Sequence, residues 1–581
     1  MTCYRSGLKI VPHDRLMKNW FPWFALLMVW TIMILVINPL GEFMVNDDWA
    51  FVRSLEAFRS LGKITVTGWG PPGAPGGPSL LVHLLVGDLF SRALGFSLTT
   101  LRIAVLTMGF LGSLGLLLLL RIARVPPWPA LLATLTVVGN PLFLAECFTF
   151  MTDITFASLA IFAVLFLYLG VKKSSTPWII SGLLLVLASI LTRQIGVVIL
   201  LAFWVTCWVH PGGAALGRGK MIFLGLTLVI LPWISYEVLL SYLGSSPLTQ
   251  HQVIHNIFKY PREKGFLDYL GFIINGFVFF GLGYLGFFVS PLLTRNFILL
   301  VRSRYFRYFL MVFTVSVVLL EIAIVTDLIH PPIIFLGNTI YNFGIGPVLL
   351  KDTYILGIPR LGVISRAAYY LLASWAALAA VVLTSLFFAY VRQWFQAGGA
   401  TEDGDNSFLL CMMLLAALFY LGIITLTDYQ DRYLIPLLIF LVIWLVVNRS
   451  ASLCDGETFW KIMPGFVMVI CLGVWSTCQV HDFMEMKRGQ KKAHDYALQR
   501  LQVNPCSMDG GFEFNGYYCY RNDFQPPEGL SWWWVSREDY LVTLGPLPGY
   551  RVIQIFPFQR YCDPPGAIYL LQPLKPDIPK G

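Results

Sequence analysis

Four short segments carry charge where an apolar chain has least reason to place it. Val45-Asn46-Asp47-Asp48-Trp49-Ala50 sets two carboxylates side by side after a long apolar run, and Phe148-Thr149-Phe150-Met151-Thr152-Asp153-Ile154 places another at the start of one. Thr192-Arg193-Gln194 interrupts an apolar stretch, and Asp428-Tyr429-Gln430-Asp431-Arg432-Tyr433 leads into a late one. Adjacent carboxylates suit general-base work, because each raises the proton affinity of the other. Guanidinium groups suit phosphate, because the planar fork matches its oxygens and stays charged in a low-dielectric setting. Each segment also has a plainer reading. Asn46 or Asp47 could cap a following helix, Asp153 or Thr152 could do the same at 152, and an arginine at a helix end commonly reaches lipid headgroups.

The elements that must hold these residues are membrane helices. Of 581 residues, 57% are hydrophobic and 13% charged, and a soluble chain carries about twice that charged fraction. A soluble enzyme and a disordered chain are both excluded. Apolar runs near the length of a bilayer span predict about thirteen transmembrane helices. They fall at 21–40, 101–120, 128–147, 151–170, 178–191, 195–209, 221–243, 271–293, 308–328, 367–391, 407–427, 433–447 and 462–479. The stretch 178–209 is divided because Thr192-Arg193-Gln194 lies in its middle. The first run follows Arg5, Lys9, Arg15 and Lys18, is longer than a signal-peptide core and lacks a small-residue cleavage site, so it is expected to remain as a helix.

Charge then sorts the connections by side. With the N-terminus in the cytoplasm, the turns bearing Arg121/Arg124, Lys172/Lys173, Arg218/Lys220, Arg295/Arg302/Arg304/Arg307, Arg392 and Arg449/Lys461 all lie inside, as the positive-inside rule expects. This pattern absorbs most of the net charge of +9 and leaves no basic run interleaved with aromatics, so no nucleic-acid partner is expected. The long connections 41–100, 244–270 and 329–366, and everything after about 480, fall outside. So do Asp47, Asp48, Asp153, Arg193, Asp431 and Arg432. The expected location is a cell inner membrane, crossed many times, with the lipid bilayer itself as a partner.

Within 41–100, Phe51, Leu55, Phe58 and Leu61 oppose Arg53, Glu56 and Arg59, the pattern of an amphipathic helix lying in the membrane interface. The Gly/Pro run 68–78 lacks a phosphate-loop pattern and reads as an extended lid. Lys351, Arg360 and Arg366 in the 329–366 connection are weaker phosphate candidates. Residues 1–480 form the expected membrane domain and 481–581 a small outer α/β domain. There, 481–502 reads as a polar helix, and RVIQIF and AIYLLQ as strands parted by Cys562-Asp563-Pro564-Pro565-Gly566. Trp532-Trp533-Trp534 is expected to anchor the chain at the interface rather than stack on a sugar. Cys506, Cys519 and Cys562 lie in an oxidising setting, where one disulfide, most simply Cys506 with Cys519, competes with three free thiols. No Cys/His spacing indicates a metal, and His251 and His255 share a helical face without an acidic motif, so no cofactor is expected and no divalent cation is indicated.

The order of these features carries a resemblance. An acidic pair follows the first helix, an aspartate opens the fourth, a Thr-Arg-Gln turn comes next, and Asp431-Arg432-Tyr433-Leu434-Ile435-Pro436 opens a late helix. The outer tail holds Ser507-Met508-Asp509-Gly510-Gly511-Phe512-Glu513-Phe514-Asn515-Gly516. From about residue 20 to its end the chain resembles the GT-C superfamily of glycosyltransferases, in its bacterial branch similar to protein O-mannosyltransferases and the lipid A aminoarabinose transferase. The resemblance implies a polytopic α-helical fold of GT-C type and transfer of a sugar from a polyprenyl-phosphate donor to an acceptor on the outer face. It implies Asp47 as the base, with Asp48 standing where the family has Glu. Relatives that modify lipid A carry Lys-Pro-Pro in the first outer loop, where this chain has Gly70-Pro71-Pro72, so the donor phosphate must find another cation. The expected catalytic set is Asp47, Asp48 and Asp153, and the expected donor-phosphate or substrate set is Arg193, Gln194, Asp431, Arg432, Tyr433, Lys351 and Arg360. A transporter or flippase of lipid-linked glycans is the competing function. It would show two matching halves and helices broken near mid-bilayer, and the sequence has no convincing internal repeat.

Overall fold

A computed structural model describes residues 20–63, 79–210, 217–230, 284–301, 344–360, 366–396, 406–427, 430–448, 458–521 and 523–574, with short pieces at 233–234, 265, 269–270, 311, 315, 318 and 339–341. Helix is the only way an isolated apolar run can satisfy its backbone in lipid. α1 spans Phe21–Ile37 and opens with Pro22 in its first turn, where no donor is lost. α2 (Asp48–Leu61) and α3 (Leu81–Leu94) fill the first long connection. α4 spans Leu98–Ile122, and the Ser97 hydroxyl oxygen accepts the Thr100 N–H at 3.0 Å as its cap. α5 (Pro127–Val138) and α6 (Pro141–Cys147) meet at a bend of 63°. Pro141 has no N–H to continue the ladder, and Asn140 caps the new segment at Leu142 N, 2.9 Å away.

α7 (Thr152–Lys172), α8 (Thr176–Ile190) and α9 (Val197–Val209) follow. The chain breaks between the last two at Leu191–Gly196, so the 178–209 run is two short helices. α10 (Arg218–Gly225), α11 (Leu285–Val301), α12 (Arg366–Gln396), α13 (Ser407–Thr427), α14 (Leu434–Val447) and α15 (Thr458–Asp495) complete the bundle. Among the described residues five helices are long and apolar enough to cross a membrane, or six if α5 and α6 count as one bent span. The protein is a multi-pass membrane protein. The expected thirteen spans are not reached among these residues. The expected span 308–328 lies almost wholly outside them, 221–243 and 271–293 lie partly outside, and the lid 68–78, His251 and His255 lie outside altogether.

The two ends of the bundle differ in chemistry. At one end the Lys172 ammonium donates to the Ile122 carbonyl at 3.0 Å, Asn406 donates to Ala123 O at 2.9 Å, and His210 meets Ser407 at 2.7 Å. α7 then runs the full depth of the bundle, from Lys172 at this basic end to Asp153 at the other.

The tail folds as expected in its strands but not at its junction. α15 is one helix of 38 residues, about 57 Å long at 1.5 Å per residue, long enough to cross a membrane and continue into the C-terminal domain with no break at 480. Gln479-Val480-His481-Asp482 contains neither Gly nor Pro to stop it. A four-stranded sheet packs against its C-terminal half. β1 (Met508–Asp509) runs parallel to β2 (Tyr540–Thr543), and β4 (Gly566–Pro573) lies antiparallel between β2 and β3 (Tyr550–Phe558). α16 (Phe512–Cys519) follows β1. Cys506 and Cys519 form a disulfide, while Cys562 is free and exposed.

Two expectations about aromatic surfaces are corrected. Trp533 and Trp534 are buried with Trp49, Phe512 and Cys519 in the core that joins α2 to the outer domain, so the tryptophan run anchors protein to protein and not to lipid. The apolar face of α2 is covered over its first turns, where Phe51 and Leu55 enter the main core and Phe58 packs against it, while Leu61 at its end is exposed; on the other face Tyr517 of α16 donates to Glu56 at 2.7 Å.

Candidate active site

The loop that leaves α1 is held from several sides before it reaches Asp47. Arg102 of α4, almost fully buried, donates to the carbonyls of Pro39, Gly41 and Phe43 at 2.5, 3.1 and 2.8 Å. Glu42 accepts the Leu98 and Thr99 N–H groups at 2.8 and 3.2 Å, binding the loop to the start of α4. The next residues split the acidic pair. Asp48 turns back and accepts the Val45 N–H at 2.8 Å, with 3% of its surface exposed. Burial, reinforced by the nearby Glu513 carboxylate, lifts its pKa to about 8 against the opposing pull of the Val45 N–H and Arg102. Asp47 makes no side-chain cap to α2 and instead accepts from Arg432 Nη2 at 2.9 Å.

Arg432 sits in the short 3₁₀ turn Asp431–Tyr433 that leads into α14. Its backbone is fixed by its neighbour: the Asp431 carboxylate accepts N–H groups from Arg432 at 2.8 Å, from Thr339 at 2.9 Å and from Ile340 at 2.7 Å. Asp431 is fully buried and organises two loops, a role distinct from the phosphate or substrate contact expected of it. Nε and Nη1 of Arg432 are buried with no hydrogen-bond partner among the described residues.

A second ion pair lies beside the first. Asp153, at the start of α7, caps nothing and pairs with Arg193 from the α8–α9 break, and Asp153 Oδ2 has no partner among the described residues. The Arg193 and Arg432 guanidinium carbons lie 4.7 and 5.6 Å from the centroid of one ring, that of Tyr433. Gln194 opens the 3₁₀ turn next to Arg193. Asp47, Asp153, Arg193, Arg432 and Tyr433 therefore converge. Lys351 and Arg360 are engaged elsewhere: Lys351 pairs with Glu538, and Arg360 with Asp352 at 3.2 Å and the Pro546 carbonyl at 2.7 Å, all where the 344–360 segment meets the C-terminal domain.

Glu146, at the end of α6, belongs to this cluster and was not singled out from the sequence. Its carboxyl accepts from the Thr339 hydroxyl at 3.1 Å and the Thr149 hydroxyl at 3.4 Å. The signal was present, since an acid inside an apolar run is costly unless used. Arg102 carried the same signal near the start of the 101–120 run. Among the described residues no group of three or more His, Cys, Asp or Glu side chains could hold a metal ion.

Chemically, the arrangement offers a carboxylate that is partly exposed, two guanidinium groups beside one aromatic ring, and buried N–H donors with no partner among the described residues. An anion entering beside Arg432 would satisfy those donors and compete with Asp47 for the cation.

No protein-family model matches the chain, and no curated protein matches it. Among solved structures it is similar to ArnT from Cupriavidus metallidurans bound to undecaprenyl phosphate, over 85% of this chain and 83% of that one, at 12% identity and a TM-score of 0.43. The apo state of the same protein aligns over 85% and 84%, at 14% identity and a TM-score of 0.33. The Archaeoglobus fulgidus oligosaccharyltransferase, tethered with an acceptor peptide, aligns over 72% of this chain and 56% of its own, at 14% identity and a TM-score of 0.30.

Proposed function

We propose that the protein is a glycosyltransferase of GT-C type that moves a sugar from a polyprenyl-phosphate donor to an acceptor hydroxyl on the outer face of a cell membrane. The carrying observation is the pairing of Asp47 with an Arg432 whose Nε and Nη1 are buried and unpartnered. The donor phosphate binds those donors and takes over Arg432, which frees the Asp47 carboxylate. The acceptor oxygen then attacks the anomeric carbon, the bond from that carbon to the phosphate oxygen breaks with inversion, and the acceptor proton passes to Asp47. Negative charge gathers on the departing polyprenyl phosphate, where Arg432 and Arg193 meet it. Asp153 aims Arg193, and Tyr433 spaces the two cations. Asp48 is not a second base in this scheme, since its carboxyl is folded onto the loop.

The Cys506–Cys519 disulfide supports an outer, oxidising side for the C-terminal domain, and the basic turns at the opposite end of α7 support a cytoplasmic N-terminus. Transfer of radiolabelled sugar from synthetic undecaprenyl-phosphate sugars by purified protein, with a crude envelope extract as acceptor, tests the reading. Asp47→Asn is expected to lower turnover by at least about a hundredfold, the lower range for loss of a general base, and Asp48→Asn by much less. Wild-type protein that turns over no donor, while moving lipid-linked glycan between leaflets, would replace the enzyme with a flippase.

A further inference from the structure

We propose that Glu513 is a positioning residue for Asp47, through which the C-terminal domain sets the catalytic loop. The inference rests on Asp47 being the base. Asn46, the residue before it, is buried with φ of 56°, a left-handed conformation that asparagine tolerates but that needs holding. Its N–H donates to Glu513 Oε1 at 3.2 Å. Glu513 is fixed in turn by Lys487 of α15, whose ammonium donates to the same oxygen at 2.6 Å and to Gln490 Oε1 at 3.2 Å. Gln490 Nε2 donates to the Gly510 carbonyl at 3.1 Å, and His494 Nε2 approaches the same oxygen at 2.9 Å. A continuous run of hydrogen bonds therefore ties α15 and the start of α16 to Asn46.

The same turn holds the other side of the site. The Phe512 N–H donates to the Leu349 carbonyl at 3.0 Å, and Leu349 lies in the connection whose Thr339 and Ile340 are bound by Asp431, next to Arg432. Adjacent residues Phe512 and Glu513 thus grip the two loops that bring Asp47 and Arg432 together. The Lys487 and Glu513 side chains are only 2% and 4% exposed. A buried pair of this kind seldom adds net stability over apolar residues of the same size, and its best use is to select one arrangement. Here the arrangement selected is the backbone at Asn46.

Removing one charge would strand the other, so the test compares two double variants of the full chain. Lys487→Met with Glu513→Gln and Lys487→Met with Glu513→Leu both delete the ion pair, and only the first keeps an oxygen for the Asn46 N–H. The Gln double is expected to keep kcat within about threefold of wild type, while the Leu double loses at least about thirtyfold in kcat with KM for a synthetic undecaprenyl-phosphate sugar changed less than about threefold. Hydrogen exchange at the Asn46 amide should rise only in the Leu double. Equal kcat in the two folded doubles overturns the proposal. If either double fails to fold, Lys487→Gln with Glu513→Gln and Lys487→Gln with Glu513→Asn are compared instead; both remove the two charges together, the Asn variant shortens the reach to the Asn46 N–H and should be the impaired one, and equal kcat again overturns the proposal. If wild type turns over no donor, the proposed reaction fails on its own, and equal exchange at Asn46 in the two doubles then overturns the positioning role separately.

Discussion

Asp47 and Asp48 are consecutive, yet the backbone sends one carboxyl to Arg432 at 2.9 Å and the other back to the Val45 N–H at 2.8 Å. Sequence showed that the acids and arginines at 47, 153, 193 and 432 share a face, because counting spans fixes the side of each helix end. It could not show which loop folds back, so Lys351 and Arg360 stood as candidates beside Arg432 until their carboxylate partners were visible, Glu538 of the C-terminal domain for Lys351 and Asp352 for Arg360. Asp48 has a consequence in pH. Its carboxyl is raised to about 8 by burial, well above its unfolded value, so between about pH 4 and pH 8 the native state holds a proton that the unfolded chain releases. Its stabilising contribution is complete below about pH 4 and is lost as pH rises through about 8. Asp48→Asn removes this titration while keeping an oxygen for Val45. The apparent melting temperature of wild type minus that of the variant is therefore expected to fall from pH 5 to pH 8, as the stability difference behind it shrinks by at most about 1.4 kcal/mol per pH unit. A gap that stays constant or widens would mean that Asp48 is ionised in the fold.

Broken helices do the positioning at the next scale. The α8–α9 break was legible, because Arg193 cannot rest in mid-bilayer without a partner. The α5–α6 break was equally encoded in Gly139-Asn140-Pro141, but the uniform hydropathy of 128–147 concealed it, and with it the placement of Glu146. Contact between α2 and α16 was not legible at all, since amphipathic periodicity gives a face and not its partner. That contact turns on Gly516, where an added Cβ would lie 2.4 Å from the Trp49 ring. Trp49 is fully buried and packed against Phe512, Tyr520 and Trp534, so it has no room to retreat. Alanine would gain about 1 kcal/mol of helix propensity, and overpacking of a rigid aromatic core costs about 1–3 kcal/mol. Overpacking should win. Gly516→Ala is expected to lower the melting temperature and raise hydrogen exchange across 48–61, and a variant more stable than wild type would show that α2 is loosely docked.

At the scale of the whole molecule, α15 runs unbroken from the membrane bundle into the C-terminal domain. A domain boundary at 480 follows naturally from composition, because hydropathy falls there. Composition does not register that a helix can continue unbroken from lipid into protein. Its outer half carries Lys487 and Gln490 toward Asn46, and Asp482, which accepts the Tyr561 and Cys562 N–H groups at 2.7 and 2.9 Å. Two perturbations should then behave differently. Replacing both Cys506 and Cys519 by serine opens a loop closed across a separation of 13 residues, worth about 3 kcal/mol by chain entropy. It alters Cys519 at the edge of the Trp49 core but keeps α15, Glu513 and the aromatic residues of that core, so donor turnover at 25 °C should survive with a lower melting temperature. Ending the chain after Val480 strips Glu513 from Asn46, uncovers Trp49 and leaves Arg432 and Asp47 to pair without a fixed backbone, so turnover should vanish even where the truncated protein still inserts and binds undecaprenyl phosphate. Turnover by the truncated chain at a rate near wild type would mean that the membrane bundle alone sets the geometry at Asp47, with the outer domain serving acceptor binding or nothing in the chemical step.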